Sequence, residues 1–447
     1  MPDLSVLMHG DVAALLRGSP DGNLSLTYDG DYMEDPRSIP LSLSLPFSER
    51  PHRGAGPQRW IRSLLPDNPE TLNRWYAREE VLHRSPVGLL STRIGLDCAG
   101  AVQFCPAGDE EQLDERASGL EGLTRADVAR EIAASIGQPG AWHPDDVEPY
   151  FSLGGYQTKI ALHLEGHQWA RPFGNIPTTH ILKPRPHASR FVAVAEHLCL
   201  GAARALGMEA AASTVEQFDD NTVLVVERYD REFVDGIWRR IHQEDMCQAL
   251  GRDGVQKYEH SGGPGMTALG DLIRLHSTRP EADIRRFADA LVYSWLVINR
   301  DAHARNYSII HAYDRIRLAP LYDTNSSLMF RRRKIGEANM AMRYGSTFTV
   351  YSAGSKQALP DMALRLRIPA SALVDRAEEM ASGLPGTMQA AIQALPPAMQ
   401  DAEEVAKFAS SMQRRSEECL TSIHSARRHL KQVGHTQSRP KLGTSHP

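Results

Sequence analysis

The chain has 447 residues, 41% of them hydrophobic and 23% charged, with a net charge of -5. That length builds two or three units with their own cores, and the acid excess excludes a molecule whose whole surface coats nucleic acid. No apolar run reaches bilayer length, and the start, Met1-Pro-Asp-Leu, lacks the basic-then-apolar pattern of a secretion signal. Five scattered cysteines, Cys98, Cys105, Cys199, Cys247 and Cys419, form no metal-ligand spacing, so no membrane contact and a reduced cytoplasmic setting are expected.

Residues 1–106 read as a small β-rich unit. Leu4–Met8, Val12–Leu16 and Leu24–Tyr28 are short apolar or alternating runs divided by Gly, Asp and Asn turns. Ile39–Pro46 alternates too, and its prolines place it at a sheet edge. Leu64-Leu-Pro-Asp-Asn-Pro-Glu70 opens a helix through Trp75, and Thr92–Gly100 with Ala101–Cys105 closes the unit. An acidic connection follows over residues 107–120, then a helix from Thr124 ending near Gly137-Gln-Pro-Gly140.

Phe151-Ser-Leu-Gly-Gly-Tyr-Gln-Thr-Lys159 reads as a glycine-rich hairpin between strands Tyr150–Phe151 and Ile160–Leu164. Gly154 and Gly155 let the backbone approach an anion, and Ser152, Gln157 and Lys159 add a hydroxyl, an amide and a positive charge. Any tight hairpin can carry Gly-Gly, and the Gly-Lys-Ser/Thr ending of a Walker loop is missing. Thr179-His-Ile-Leu-Lys183 reads as a strand ending in Lys, ordinarily a solvated position. The predicted helix Phe191–Leu206 sets Glu196 beside the buried stripe Val192, Ala195, Cys199 and Leu200. A carboxylate there needs a partner, and Lys183 is the candidate. Thr222–Arg231 reads as a β-branched strand ending in polar residues, where Glu227 to Tyr229 offer backbone groups to a planar base. His242–Leu250 reads as a helix with Gln243, Glu244 and Asp245 at its positive end.

Ile284, Phe287, Leu291, Trp295 and Ile298 recur at helical spacing. That helix leads into Asn299-Arg-Asp-Ala-His-Ala-Arg-Asn306, then two short strands around a polar turn at His311–Arg315, then Leu318–Asp323. Kinases use this order: an Asp that takes the hydroxyl proton, an Asn five residues on, and a second Asp after a hairpin, the last two being hard oxygen donors for magnesium. A single Asp-x4-Asn would read as a solvated loop; the added hairpin and second Asp favour catalysis.

Taken together, residues 151–159, Thr179–Lys183, Glu196, Val226-Glu-Arg-Tyr-Asp-Arg231, Gln243–Gln248, Asn299–Asn306 and Leu318–Asp323 resemble the HipA-type serine/threonine kinases, the toxin halves of HipBA toxin–antitoxin pairs. Leu43–Pro46 and Leu64–Asp67 are similar to that family's small N-terminal subdomain, and the likeness covers nearly all of residues 1–430. It implies an α+β, distant kinase-like fold of two lobes: a small subdomain over 1–106, the rest of the β-rich N-terminal lobe over 107–228, a helical catalytic lobe over 229–432 and a disordered tail over 433–447. It implies ATP and Mg2+ as cofactors, Asp301 as base, Asn306 and Asp323 as metal ligands, and His303 supporting the catalytic loop. Lys183 is then the phosphate contact and Glu227 and Tyr229 the adenine hinge, with the glycine-rich segment by the γ-phosphate. Ser152 matches an autophosphorylated serine, and phosphate there would expel the segment as an off switch. Two residues depart from the pattern: Arg305 replaces the usual Lys, a forked group for a point charge, and Thr158 replaces an acid or Pro.

The implied partners are a HipB-like DNA-binding antitoxin, with DNA reached only through it, and an aminoacyl-tRNA synthetase substrate, glutamyl-tRNA synthetase first. The alternatives are a catalytically silent co-repressor and a small-molecule phosphotransferase. Further on, Arg331-Arg-Arg-Lys334 reads as a solvated loop or a contact for an acidic partner. Ala402–Ile423 reads as a helix with Val405, Phe408, Met412, Cys419 and Ile423 on one face.

Overall fold

The computed structural model describes residues 2–19, 22–81, 84–110, 118–137, 151–185, 189–312, 314–330 and 334–437. Arg331 to Arg333 of the basic run, Tyr150, residues 111–117 of the acidic connection and the end of the tail lie outside the described residues.

Apolar alternation in the first 106 residues gives a five-stranded antiparallel sheet, in the spatial order His52–Arg53, Leu24–Tyr28, Asp11–Gly18, Leu4–Met8, Val102–Pro106. Leu4–Met8 is flanked on both sides and buried along its whole length. Helices Ala55–Leu64 and Pro69–Arg78 supply Trp60, Ile61, Leu64 and Trp75 to the same core. Each such side chain withdrawn from water contributes about 1.5–3 kcal/mol. The expected edge strand over Ile39–Pro46 is absent; an isolated Ser42–Leu45 bridge stands in its place. Pro40 and Pro46 cannot donate to a ladder, and the Leu43 amide and Ser42 hydroxyl go instead to the carboxylate of Glu244, at 2.9 and 2.6 Å. This segment therefore joins the first unit to the last. Thr92–Gly100 likewise holds a 3-10 turn, Arg93–Leu96, before the closing strand.

A six-stranded antiparallel sheet follows, ordered Ser213–Phe218, Asn221–Glu227, His180–Arg185, Ile160–Glu165, Gln168–Phe173, Gly119–Gly122. Lys183 lies inside its strand, opposite Leu224, and does not end it. Helix Phe191–Ala205 packs against this sheet and carries the apolar stripe into the next core. The glycine-rich stretch is not a hairpin. Ser152 and Gly155 make single parallel bridges to Cys98 and Pro66, and only Ile160–Glu165 is a strand.

The second half is dominated by helices Met266–His276, Pro280–Leu296, Ala358–Leu366, Ala370–Gln393 and Glu403–Gln437 around Phe287, Leu291, Trp295, Met380 and Phe408. The last helix runs beyond the expected Ile423. His242–Asp245 is a strand rather than the start of a helix, pairing with Ser308–Ala312 in a three-stranded sheet completed by Arg315–Leu318. Asp245 then caps the short helix Met246–Ala249 through a capping box with Gln248. Among the described residues no helix is long and apolar enough to cross a membrane.

Candidate active site

Helix Pro280–Leu296 ends where Ile298 takes a left-handed backbone, φ +52°. That conformation is rare for a β-branched residue and costs on the order of 1–3 kcal/mol. Packing holds it: Ile298 is buried, and Asn299 is tied back by its amide to the Ser294 carbonyl at 2.7 Å. The Asn299 side chain then accepts from the Asp301 amide at 3.1 Å. The strained turn thus aims Asp301 into a cleft of about 440 Å³ between the lobes.

Every candidate residue except Ser152 lines that cleft: Asp301, His303, Arg305, Asn306 and Asp323 from the second half, and Gly154, Gly155, Gln157, Lys159, Lys183, Glu196, Glu227 and Tyr229 from the first. Lys183 donates to Glu196 at 2.7 Å and to Asp323, so one ammonium ties both lobes together. Burial works against that charge, but Asp323 and Glu196 outweigh it and hold Lys183 above the ordinary lysine range. Burial pushes Glu196 upward against the pull of Lys183, while the charges of Lys183 and Lys159 overcome burial at Asp323 and hold it low. Asp323 also has a left-handed backbone, φ +48°.

The Asp301 side chain is 63% exposed, yet the cleft walls desolvate it enough to raise its carboxyl. Tyr258 donates its hydroxyl to Asp301 and meets His303 edge-on at 4.9 Å. His303 Nε2 lies 3.7 Å from the Asp301 carboxylate. Burial, helped by the charges of Lys257 and Arg305, lowers His303 to about 3, so it is neutral at pH 7. Asn306 donates its Nδ2 to the Asp301 carbonyl at 2.7 Å. A backbone carbonyl only accepts, so this bond leaves the Asn306 amide oxygen for another partner. Asn306 and Asp323 fit a hard cation that shares a nucleotide's phosphate oxygens. Among the described residues no three or more Asp, Glu, His or Cys side chains form a closed metal cage.

Arg305 reaches Asp67 at 2.7 Å, Asp245 at 3.1 Å and the Ser63 carbonyl at 3.0 Å. A lysine could not span this fork. The glycines are required partly by that packing. A Cβ on Gly154 would stand 2.4 Å from Arg305 Nη2, and Gly155 has φ +112° with Lys159 Nζ 2.7 Å from the Cβ position. Lys159 donates to the Gly154 carbonyl at 2.6 Å, and burial brings it down to about 8. Ser152 is fully buried behind the cleft and donates to the Leu64 carbonyl at 2.7 Å. The Glu227 and Arg228 amides are already bonded to the carbonyls of Ala212 and Thr179.

Sequence reasoning missed Asp67, Asp245 and Tyr258 as parts of the site. It also missed a buried cluster just past the end of strand Asn221–Glu227: Arg228 with Asp97 and Asp230 at 3.2 and 2.8 Å, and Arg231 with Asp97 at 2.8 Å. The available signal was Glu-Arg-Tyr-Asp-Arg231 directly after a buried strand, since charges inside such a run need partners.

The family model for the HipA-like C-terminal domain matches residues 151–390, and that for the HipA N-terminal domain matches 4–105. A Sinorhizobium fredii protein bearing a kinase name, Y4mE, is 32% identical over 358 residues, covering 78% of this chain and 82% of its own. The serine/threonine-protein kinase toxin HipA of Shewanella oneidensis is 28% identical over 420 residues, covering 90% and 92%. The solved complex of Shewanella oneidensis HipA, HipB and operator DNA superposes with TM-score 0.77 at 24% identity over 98% of this chain and 100% of that one, so the fold is shared. With models matching both halves and a kinase-named relative above 30% identity across most of its length, the chain belongs to the HipA family and is a kinase.

Proposed function

We propose that this chain transfers the γ-phosphoryl group of ATP to a protein serine or threonine with magnesium, and so acts as a growth-arresting toxin. The observation that carries the reading is Lys183 joined to both Glu196 and Asp323 in the cleft that Asp301 and Asn306 also line. In this reading Asp301 orients the acceptor hydroxyl and takes its proton, and neutral His303 packs beneath the loop without competing for that proton. Lys183 contacts the phosphates. Lys159, Gly154, Gly155 and Gln157 border the terminal phosphate, and Arg305 locks the catalytic loop to Asp67 of the first unit. Asn306 and Asp323 would hold Mg2+, which neutralises charge on the phosphates when bound. At the hinge the Tyr229 amide, which has no acceptor among the described residues, faces the base together with the Glu227 carbonyl. The working division stays at 1–106, 107–228 and 229–432.

Aminoacyl-tRNA synthetases, glutamyl-tRNA synthetase first, are the proposed substrates, and a HipB-like antitoxin the proposed partner, through which the chain meets DNA. The complex of the Shewanella oneidensis relative supports the antitoxin. Autophosphorylation of Ser152 as an off switch requires the segment to leave its buried seat, because its hydroxyl faces Leu64 rather than the cleft. The test is incubation of the purified chain with labelled ATP and cell lysate, beside an Asp301→Asn control. A labelled synthetase with the wild type alone supports the reading; labelling of a metabolite and no protein, or equal labelling by the control, refutes it.

A further inference from the structure

A second, smaller cavity of about 40 Å³ lies behind the glycine-rich segment. Gly155, Tyr156, Gln157 and Lys159 line it on one side and the main cleft on the other, so the segment is a wall between the two. The opposite side comes from helix Pro69–Arg78, through Thr71, Arg74 and Trp75. Thr71 Oγ1 accepts from Arg74 Nη2 at 3.1 Å and fixes the guanidinium plane, but Arg74 Nη1 is buried without a partner among the described residues. Gln157 Nε2, across the cavity, is likewise buried with no partner among the described residues. Glu70, one turn back from Arg74, is felt only at a distance and closes no ion pair with it among the described residues. Among the described residues no carboxylate lines the cavity.

Buried donors left unmade cost about 1–3 kcal/mol each, more for charged groups. A water molecule would satisfy the hydrogen bonds but leave the desolvated Arg74 guanidinium without an ion-pair partner among the described residues. A small oxyanion answers both needs. We propose that the cavity between Arg74 and Gln157 is a binding site for a phosphate-class oxyanion that pins the glycine-rich segment to helix Pro69–Arg78. Pinning holds Gly154, Gly155 and Lys159 in place on the cleft side, so anion and nucleotide strengthen each other's binding. By linkage the effect is reciprocal.

The inference rests on the cleft being the nucleotide site, and the test separates the two. Calorimetry with a non-hydrolysable ATP analogue and magnesium, without phosphate, measures the cleft alone. Inorganic phosphate is then titrated into the analogue-filled full-length chain. We expect one further phosphate to bind, and the analogue to bind about fivefold or more tighter in its presence. Arg74→Gln should weaken the phosphate about tenfold or more, as loss of a charge-assisted hydrogen bond does. It should leave analogue binding without phosphate and the melting temperature unchanged, and Arg74→Lys should recover part of the phosphate affinity. A filled cleft that takes no further phosphate, or phosphate binding untouched by Arg74→Gln, overturns the proposal. If the analogue does not bind, the nucleotide reading fails, and the same Arg74 dependence, read in the nucleotide-free chain, still decides the anion site.

Discussion

Two buried ion clusters lie close together in this molecule and are built differently. Past the end of strand Asn221–Glu227, Arg228 and Arg231 meet Asp97 and Asp230, Gly100 donates its amide to Asp230 at 2.8 Å, and Thr178 donates to Asp97 at 2.6 Å. All four are buried, Arg240 reaches Asp97 as well at 3.4 Å, and each carboxylate meets more than one guanidinium. In the cleft, one Lys183 serves two carboxylates, Glu196 is pushed up while Asp323 is held down, and Asp323 keeps a left-handed backbone and a 38% exposed side chain. A fully buried cluster fixes one geometry. An over-subscribed one, strained and open at one end, is suited to exchange partners when phosphates arrive. The first belongs to the framework and the second to the chemistry.

Substitution breaks the two in different ways. Arg228→Ala takes a guanidinium from buried Asp97 and Asp230, leaving Asp230 only Arg231 at 3.2 Å, and should cost about 3–5 kcal/mol, read as a lowered midpoint of denaturant unfolding. Lys183→Met should lower kcat/KM by about 10²–10³, the loss expected for a group that meets developing charge. It should destabilise less than Arg228→Ala, because Asp323 reaches solvent and Glu196, already pushed up, takes a proton. Equal destabilisation by the two would erase the contrast.

Acid sharpens it. Burial disfavours the charge on Asp230, but Arg228 and Arg231 outweigh it and hold the carboxyl below its ordinary value. A depressed acid contributes stability above its unfolded value, near 3.9, and loses it as pH falls toward the folded value. The stability difference between the wild type and Asp230→Asn, followed by unfolding against pH, should therefore be constant from pH 7 to 5 and shrink below about 4. In the cleft the pH response belongs to binding. Lys159 is brought down to about 8, and phosphates favour its charged form. Nucleotide affinity should weaken as pH rises through that value, and Lys159→Met should flatten the profile. The smallest effect concerns Tyr258, which positions Asp301. Tyr258→Phe removes a hydrogen bond that favours the carboxylate, so the acid limb of kcat/KM should move to higher pH, with a loss of up to about tenfold at neutral pH.

Much of this was readable in the sequence where the signal is local. The spacing from Ile284 to Ile298 gives the helix that delivers Asp301, and an unpartnered Glu196 beside an apolar stripe points to Lys183, found 2.7 Å away. Non-local pairings were not readable. His242-Gln-Glu-Asp245 carries acids as a helix start does, yet it is a strand because Glu244 is hydrogen-bonded to Ser42, Leu43 and His311 from elsewhere in the chain. The glycine-rich stretch suggests a hairpin, but its first residues pair with Cys98 and Pro66. Asp67 looks like a turn residue beside the helix cap Asn68, and only the fold brings it to Arg305.

The most direct test of the account is single-turnover transfer from labelled ATP, measured beside magnesium–ATP binding, for the wild type and Asp301→Asn. The account predicts unchanged binding and transfer slowed about 10²–10⁴-fold in the variant. Transfer at the wild-type rate by Asp301→Asn would contradict it.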